Sequence, residues 1–454
     1  MTIEVKTNLS GWGRFRHADC RVIEPENRAR LRTFLRDRAA SGAIARGMGR
    51  SYGDSSVLRD GLVIGQKYLN RLLSFDSVHG SIQCEAGVTL EDIIKVSLPY
   101  GWFLPTTPGT KYISVGGAIA ADVHGKNHHV DGTFGAWVRG LTLILHDGTI
   151  LDCSSDKNAD VFWATIGGMG LTGFIRDARI QLTKVESAYY SVRYHRCANL
   201  NSALSLLAST ENEYKYSVGW IDCLSRGSGL GRSILMLANN AGLDDLSSSQ
   251  RNNPLEVRAS TPVLEVPFDF PNWVLNPFSV SIFNKSYYFM QRNRQEIVSY
   301  ESFFYPLDGV SGWNRIYGKR GFVQYQALFP EKTAEPGIRA VLETVSSHGA
   351  ASFLAVIKRC GEANPAPLSY LHRGYTLALD IPNFGNALLR MIKSLDEILL
   401  RNQGRLYLAK DSMMDAGTFA AMYPRKAEFL AVKRKVDPDC FFRSDQAKRV
   451  GLCF

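Results

Sequence analysis

The sequence lacks the marks of several classes of protein. Its eight cysteines are scattered over 454 residues without a single C-x-x-C pair, which argues against a disulfide framework. No stretch offers the ~20 consecutive apolar residues of a membrane span. The first twenty residues lack the apolar core of a signal peptide, so we expect a cytoplasmic protein with reduced thiols. Internal repeats and low-complexity segments are also missing.

A basic charge balance is present instead. The formal net charge is +10 and the pI is about 9.1, which favours an anionic partner such as a phosphorylated substrate or a membrane surface. No basic run is interleaved with aromatics, so we expect no nucleic-acid partner. The most apolar stretch, Leu264 to Phe283, contains Glu265, Asp269 and three prolines. We favour a loop over the active site there, and a peripheral membrane contact stays open.

The length and the pattern of apolar residues predict two domains of an α+β fold. A chain of 454 residues exceeds one ordinary core. The first ~190 residues show short strands and hairpins without a regular βαβ repeat. Thr89 with Asp92 resembles a helix capping box, and Asp147-Gly148 is a hairpin signal. After Ser187, strand pairs separated by helices predict an antiparallel sheet with helices on one face.

Several polar residues are predicted at strand ends or on alternating faces in this second part. In GFVQYQALFP, the period of two places Gln324 and Gln326 on one face. Lys358 closes the apolar strand SFLAVIK, and Lys410 closes the strand LYLAK. Ligands often bind where such positions converge on a cleft. The alternative for each is an ordinary solvated side chain.

Three glycine-rich stretches stand out, at 46–55, 106–135 and 167–173. Dense glycines let a backbone approach a ligand closely, and N–H groups exposed in such turns bind anions. This composition predicts a pyrophosphate site. Gly168, Gly170 and Gly173 match G-x-G-x-x-G, but a helix precedes them and a strand follows, so a Rossmann fingerprint is rejected.

These stretches carry a specific resemblance. RGMGRSYGDSS, PGTKYISVGGAIAADVHGKNHHVDGTFG and FWATIGGMGLTG, in that order, resemble the FAD domain of vanillyl-alcohol-oxidase-type flavoproteins. Within that superfamily the chain is most similar to the decaprenylphosphoryl-β-D-ribose oxidases, and the likeness covers nearly all of it. The resemblance implies an FAD-binding domain at 1–188, a substrate-binding domain at 189–404 and a return to the FAD domain at 405–454.

The resemblance also implies which residues contact the flavin. We predict cofactor contacts at Arg46, Gly47, Met48, Gly49, Arg50, Ser51, Tyr52, Gly53, Gly109, Ser114, Val115, Gly116, Gly117, His124, Gly125, Lys126, Asn127, Ile175 and Tyr407.

His124, His128 and His129 raise the alternative of zinc, since His124 and His128 stand four residues apart as zinc-binding histidines do on a helix. The surrounding glycines argue against a helix and no HExxH glutamate is present, so we predict no metal. Because the nearest relatives hold FAD without a covalent link, we predict non-covalent FAD.

The substrate contacts and the catalytic groups are implied in the same way. We predict substrate contacts at Lys126, Trp220, Gln326, Lys358, Thr376 and Ala378. Oxidation of an alcohol sends a hydride to the flavin and the hydroxyl proton to a base. A cluster of lysines suits a phosphate diester and lowers the pKa of one of its members. Lys410 is our candidate for that base or for a donor that polarises the hydroxyl, and Tyr52 is the second choice.

One departure from the nearest relatives bears on the sugar pocket. Mycobacterial members carry a cysteine where Ala378 stands and an asparagine where Thr376 stands, so thiol-directed chemistry is expected to be absent there.

The resemblance implies oxidation of the 2-hydroxyl of a polyprenyl-phosphate-linked pentose, the first half of an epimerisation in cell-envelope arabinose donor synthesis. A separate short-chain reductase would complete it. The alternatives are a flavin oxidase of a free sugar, alditol or aldonolactone, and a non-enzymatic protein that retains FAD.

Overall fold

The structure is a computed structural model that describes residues 4–37, 42–257, 264–271, 273–350 and 352–453. Within these ranges the strands, in chain order, are β1 (Glu4–Ser10), β2 (His17–Ile23), β3 (Ala43–Arg46), β4 (Leu62–Gly65), β5 (Leu72–Asp76), β6 (Ser81–Glu85), β7 (Trp102–Phe103), β8 (Val138–Ile144), β9 (Ile150–Cys153), β10 (Phe174–Gln181), β11 (Thr183–Lys184), β12 (Tyr189–Cys197), β13 (Tyr216–Ile221), β14 (Ser233–Asn240), β15 (Leu264–Glu265), β16 (Arg294–Ser299), β17 (Val310–Ser311), β18 (Phe322–Pro330), β19 (Ala355–Cys360), β20 (Gly374–Pro382) and β21 (Arg405–Leu406).

The α-helices range from 4 to 16 residues in length. In chain order they are α1 (Arg28–Arg36), α2 (Leu90–Ser97), α3 (Val115–Ala120), α4 (His128–Asp131), α5 (Ala159–Thr165), α6 (Leu200–Ser209), α7 (Ser248–Asn252), α8 (Pro277–Met290), α9 (Tyr300–Phe304), α10 (Ala334–Ser347), α11 (Asn386–Arg401), α12 (Ala416–Met422), α13 (Lys426–Val436) and α14 (Asp445–Arg449). No helix within the described ranges has the length and apolarity needed to cross a bilayer.

Besides the short antiparallel pair of β7 and β11, the N-terminal part forms two sheets. One has the strand order β1-β2-β4-β3 and the other β5-β6-β10-β8-β9. The predicted capping box is present, with Thr89 accepting from the Asp92 N–H while the Asp92 carboxylate accepts from the N–H of Thr89. The hairpin at Asp147-Gly148 is also confirmed, since β8 and β9 pair antiparallel.

The second part is built on one eight-stranded antiparallel sheet. Its strand order is β16-β12-β14-β13-β19-β20-β18-β21. Helices α6, α10 and α11 pack on one face, where Tyr325, Leu377 and Leu379 share a core cluster with Val341 and Leu395. The other face is left for the candidate site. This arrangement confirms the predicted α+β fold with helices on one side of an antiparallel sheet.

After β21 the chain returns to the N-terminal sheets. Phe442 bridges Ala43 at the edge of β3. The buried ammonium of Lys433 donates to the carbonyls of Leu171 and Phe442 and to the Asp437 carboxylate, each at 2.7 to 2.8 Å. These bonds tie the end of the chain to the third glycine stretch. They are compatible with the predicted 405–454 segment, whose boundaries stay a prediction.

Two predictions about local structure are wrong. The strand expected through Ala409 stops at Leu406, and Lys410 lies in a turn where its N–H donates to the Tyr407 carbonyl at 2.9 Å. The Ala409 carbonyl accepts from the N–H of Tyr52 instead of joining the sheet. Also, the supposed loop from Leu264 to Phe283 ends inside α8. Asn276 caps that helix and Pro277 begins it, a combination that favours a helix start.

Candidate active site

The predicted substrate residues lie on the face of the large sheet that the three helices leave uncovered. Directly paired residues on neighbouring strands point to the same side of a sheet. Ala378 is paired with Gln326, and Thr376 is paired with Lys358. Trp220 of β13 lies in the same register line as Ala378, through the residue between them on β19. The structure therefore brings all five side chains to one face, although Lys358 is two residues short of its strand's end at Cys360.

A histidine and two tyrosines join this face to the second glycine stretch. Gln326 Nε2 lies 2.9 Å from His124 Nε2. The His124 ring lies 5.1 Å from the ring of Tyr407 and 5.8 Å from that of Tyr370, measured between centroids. Burial lowers the pKa of His124 well below its usual value, and the nearby Lys358 lowers it further. His124 is therefore neutral, and its buried Nδ1 has no partner among the described residues.

Three lysines converge on the site. Burial, followed by repulsion from Lys358, lowers the pKa of Lys126 to about 7. Burial also lowers the pKa of Lys358. Lys126 Nζ donates to the Phe303 carbonyl and lies 4.1 Å from the centroid of the Phe303 ring. These ammonium groups are poorly hydrated, so an anionic ligand would be a strong partner for them.

Lys410 and Tyr52 are in direct contact. The Lys410 Nζ atom lies 3.7 Å from the centroid of the Tyr52 ring, a cation–π distance. Burial is the main cause that lowers the pKa of Lys410, while Asp380 opposes the shift and Lys358 adds to it. Burial also raises the pKa of Tyr52 well above its usual value. Tyr52 is thus a neutral phenol, and Lys410 is the better base of the two.

Asp380 supplies a carboxylate that the sequence analysis did not select. It is paired across β20 and β18 with Gln324, whose side-chain amide donates to the Asp380 carboxylate. It shares the face of Ala378 and is 1% exposed. Burial raises the pKa of Asp380, and the Lys410 ammonium opposes that shift. The sequence did contain a signal for Asp380. In the strand YTLALDIP side chains alternate between the two faces, so Asp380 lies on the same face as Thr376.

The first glycine stretch fits a pyrophosphate. Among the described residues, the backbone N–H groups of Met48, Gly49, Arg50 and Ser51 donate no hydrogen bond. Gly49 has a φ of +64°, which L side chains rarely adopt. Four consecutive N–H groups without an internal partner form an anion site of the kind that phosphate groups bind.

Close packing holds this loop against the second glycine stretch. A Cβ atom on Gly47 would lie 2.1 Å from Ser114 Oγ. A Cβ atom on Gly125 would lie 2.6 Å from Asn127 Oδ1. The Gly47 substitution would push the two stretches apart, whereas the Gly125 substitution would disturb the second stretch itself, where Asn127 and Thr106 lie. Arg46 fixes the start of the loop by donating to the Ser10 carbonyl at 2.8 Å.

The backbone N–H groups at the start of α3 donate to acceptors within the protein. Those of Val115 and Gly116 donate to the carbonyls of Val88 and Ala86 at 2.8 Å. That of Gly117 donates to Ser114 Oγ, the helix cap, at 3.2 Å. The predicted cofactor residues in α3 therefore position the loop walls, and free N–H donors come from 48–51 instead.

The remaining predicted residues occupy varied environments. Met48 is 50% exposed, and Gly109 has no neighbour within 4 Å of an added Cβ. The Arg50 guanidinium lies 4.1 Å from the Trp12 ring centroid. Ile175 is buried in β10. Gly53 backs onto the turn that carries Lys410, since its added Cβ would meet the Asp411 carbonyl at 1.9 Å.

Two of the histidines that raised the zinc alternative hydrogen-bond to backbone groups, whereas His124 Nδ1 has no partner among the described residues. His128 Nδ1 accepts from the Gly361 N–H at 3.0 Å, and His129 Nε2 lies 2.9 Å from the Tyr214 carbonyl. Within the described ranges, no group of three or more His, Cys, Asp or Glu side chains is arranged to hold a metal ion.

Comparison with known proteins agrees with this site. Residues 21–154 match the FAD binding domain family, and residues 322–450 match the D-arabinono-1,4-lactone oxidase family. The chain is 38% identical to decaprenylphosphoryl-β-D-ribose oxidase of Mycolicibacterium smegmatis over 98% of this chain and 97% of that protein. It is 29% identical to an uncharacterized protein of Streptomyces coelicolor, over 80% of this chain and all of that one. It is also 32% identical to L-gulonolactone oxidase of Mus musculus, over 32% of this chain and 34% of that enzyme.

The fold, the site and these matches define an FAD-dependent oxidoreductase of the vanillyl-alcohol-oxidase type. The chain belongs to the decaprenylphosphoryl-β-D-ribose oxidase family. FAD as the cofactor is thereby confirmed.

Proposed function

We propose that the protein oxidises the 2-hydroxyl of a polyprenyl-phosphate-linked pentose to a ketone. The observation that carries this proposal is the convergence of Lys126, Lys358 and Lys410 on one face of the large sheet. A phosphate diester offers the negative charge that poorly hydrated ammonium groups at Lys126 and Lys358 need, and it leaves Lys410 to act as the base. The name of the Mycolicibacterium relative supports a ribose linked to decaprenyl phosphate.

In this proposal the chain's own residues handle the proton. Bound FAD supplies the acceptor for the hydride that leaves the sugar carbon. Neutral Lys410 accepts the proton of the 2-hydroxyl and becomes an ammonium. The Asp380 carboxylate stabilises that positive charge, and the Tyr52 ring face lies against it. Electrostatic partners placed where charge develops are a large source of catalysis.

Binding and orientation fall to the other residues of the face. Lys126 and Lys358 are proposed to hold the phosphate, and Gln326 to hold the sugar. Trp220, Thr376 and Ala378 shape the pocket. The proposed cofactor contacts are the two glycine stretches with His124, Ile175 and Tyr407. His124 carries no predicted covalent bond, so FAD should leave with the supernatant when the protein is denatured.

The wider setting of the reaction follows from its chemistry. A 2-keto sugar linked to a polyprenyl phosphate needs a reductase to complete an epimerisation, and a short-chain reductase is proposed for that step. The product would serve as an arabinose donor for the cell envelope.

We also propose that the protein acts at the inner face of a membrane without crossing it. Its domain boundaries are proposed to lie between residues 188 and 189 and between residues 404 and 405.

One experiment tests the main proposal. The holoprotein is mixed with polyprenyl-phosphoryl ribose in detergent micelles and a redox dye, with ribitol and gluconolactone in parallel. Turnover of the lipid-linked ribose alone is the expected result. Equal or faster turnover of either free compound would overturn it.

A second candidate rests on a specific match. Because residues 322–450 match the D-arabinono-1,4-lactone oxidase family, oxidation of a free aldonolactone is the alternative. Three lysines give no advantage with such an uncharged substrate. Turnover of gluconolactone that survives replacement of Lys126 and Lys358 by methionine would favour this alternative.

A further inference from the structure

The exposed large apolar side chains of this protein are concentrated on one segment. Among the residues that the structure describes, every exposed phenylalanine and tryptophan lies between Leu264 and Met290. We define the aromatic patch as the exposed large apolar residues of this segment: Leu264 (63% exposed), Phe268 (59%), Trp273 (75%), Phe278 (76%), Ile282 (50%), Phe283 (48%), Phe289 (63%) and Met290 (78%). Exposure on this scale in a soluble protein marks an interaction surface.

The patch has a rigid support in α8. Val280, Asn284 and Tyr288, at a spacing of four, form the buried side of the helix. Asn284 Nδ2 donates to Asp222 Oδ1 at 2.8 Å, and the Tyr288 hydroxyl donates to the Cys197 carbonyl at 3.3 Å. These bonds fix the rotation of α8 about its axis. Phe278, Ile282 and Phe289 therefore point away from the protein.

The patch lies beside the candidate active site. Tyr287 of α8 packs on Trp220, with the ring centroids 4.8 Å apart. Trp220 lies on the same sheet face as Ala378 and Lys358. Phe283 also contacts Phe353, whose carbonyl accepts from the Trp220 indole at 3.1 Å. One layer of side chains thus separates the patch from the pocket.

Around α8 the charge is of one sign, whereas Glu265 and Asp269 lie beside Leu264 and Phe268, and Asp269 is paired with Arg14. From Trp273 to Arg294 the sequence contains three basic residues and no acidic residue. Lys285 and Arg292 are exposed. Aromatic and aliphatic side chains combined with Lys and Arg on a helix are the composition of segments that lie in the interface of an anionic bilayer. A partner surface that is apolar and also negatively charged meets both features.

We propose that the aromatic patch docks onto an anionic lipid bilayer, with its rings among the headgroups and with Lys285 and Arg292 against lipid phosphates. The choice of this partner rests on the proposed function, because a polyprenyl tail stays in the bilayer while its sugar is oxidised. The patch then brings the pocket to the depth of the headgroups. A lipid-linked sugar reaches Lys358 without leaving the membrane.

The test measures binding of the holoprotein to vesicles, with no sugar substrate added. Co-sedimentation is compared for phosphatidylcholine vesicles and for vesicles that also contain phosphatidylglycerol. Wild type is expected to bind the anionic vesicles, less tightly as salt rises. F278S/F289S should weaken that binding at least about tenfold. K285E/R292E should remove the preference for anionic vesicles.

A matched variant controls for loss of exposed apolar surface elsewhere. V78S/Y100S replaces residues that are 75% and 59% exposed, far from α8 in sequence, and should bind like wild type. The proposal is overturned if wild type binds neither vesicle, or if F278S/F289S binds as V78S/Y100S does. It is also overturned if wild type is a dimer that F278S/F289S converts to a monomer, since a second copy would then cover the patch.

Failure of docking and failure of the proposed function are distinguishable. Turnover of the lipid-linked ribose in micelles needs no bilayer. That assay therefore gives the same result whether or not the aromatic patch binds membranes. Conversely, vesicle binding without substrate is unaffected if the protein oxidises a different alcohol.

Discussion

The ammonium of Lys410 lies 3.7 Å from the centre of the Tyr52 ring. The two residues come from opposite ends of the chain, and their backbones are joined by the hydrogen bond from the Tyr52 N–H to the Ala409 carbonyl. Burial of the amine favours its neutral form, while the face of the ring favours the ammonium that forms once a proton is accepted. The carboxylate of Asp380 also opposes the effect of burial, since its negative charge raises the pKa of Lys410. This arrangement is the basis of the first two predictions.

Replacing Lys410 with methionine should remove the base while FAD stays bound. General acid–base groups contribute ~10²–10⁴-fold, so reduction of the flavin by substrate should slow by about that factor. Stopped-flow absorbance measures it, after the FAD content of each preparation is determined. Lys157→Met, at a lysine whose side chain is 67% exposed, is the control. A change of less than about threefold in Lys410→Met would rule out the role.

Replacing Asp380 with asparagine should move the pH profile of flavin reduction. The Asp380 carboxylate raises the pKa of Lys410, so its removal lowers that pKa. The amine then stays neutral at lower pH, and the acid limb of the profile shifts down, by roughly one unit. Asparagine keeps the shape and the contact with Gln324. An unshifted limb with a lower rate throughout would leave Asp380 with a packing role only.

Burial of Lys126 should make the apoprotein more stable as the pH rises. The folded-state pKa is about 7 and the ordinary value is 10.5. Between these values the unfolded state binds more protons, so stability increases with pH in that window. The stability of wild type relative to Lys126→Met should rise from pH 7 toward pH 10, by up to about 1.4 kcal/mol per pH unit. Urea unfolding of both apoproteins at pH 7, 8 and 9 measures it, and a flat difference would contradict it.

Replacing Gly47 with alanine should weaken FAD binding. The new Cβ would meet Ser114 Oγ at 2.1 Å and Ser114 Cβ at 3.2 Å. Ser114 caps α3, and loss of such a cap costs about 1 kcal/mol. We expect an affinity at least roughly tenfold lower by flavin fluorescence titration, since both loop walls move. Gly309→Ala, where nothing lies within 4 Å of the added Cβ, should bind FAD normally.

Thiol reagents should not label the native pocket. The resemblance implies a cysteine in mycobacterial relatives at the position of Ala378, which carries no thiol. The structure also places Cys360 on the sheet face of Lys358, but it is 1% exposed and burial raises its pKa to about 12. A thiol of that kind is unreactive at neutral pH. Mass spectrometry after iodoacetamide treatment should show no label at Cys360, while Ala378→Cys should be labelled at the new thiol.

The sequence predicted the sheet face of the site through residue spacing. Alternation in GFVQYQALFP placed Gln324 and Gln326 together, and the register with β20 bears this out. The glycine stretches predicted the anion site for a similar reason, since their composition has few structural uses besides close approach. The roles of the individual residues stay predictions. The structure gives the positions of these residues and not their roles.

Other features depend on contacts that no local pattern encodes. The Tyr407–Asp411 turn looks like a strand because its residues are apolar, but its carbonyls bond to Tyr52 and Gln446 from other segments. Asp380 was overlooked because an aspartate near a strand end is usually solvated. Its burial follows from the packing of Tyr52 and the Lys410 turn against β20. Tertiary contacts decided both cases.

The hydrogen bond from Tyr52 to Ala409 also sets when this protein acquires its chemistry during synthesis. Both partners must have left the ribosome before the Lys410 turn can form. Until then the uncovered face of the large sheet, with Lys358, Asp380 and Gln324, lies open to water and to other chains. A truncated or half-made product would therefore be inactive and prone to associate. Anything that binds the finished pocket should also protect the chain's last ~50 residues from proteases, because they close it.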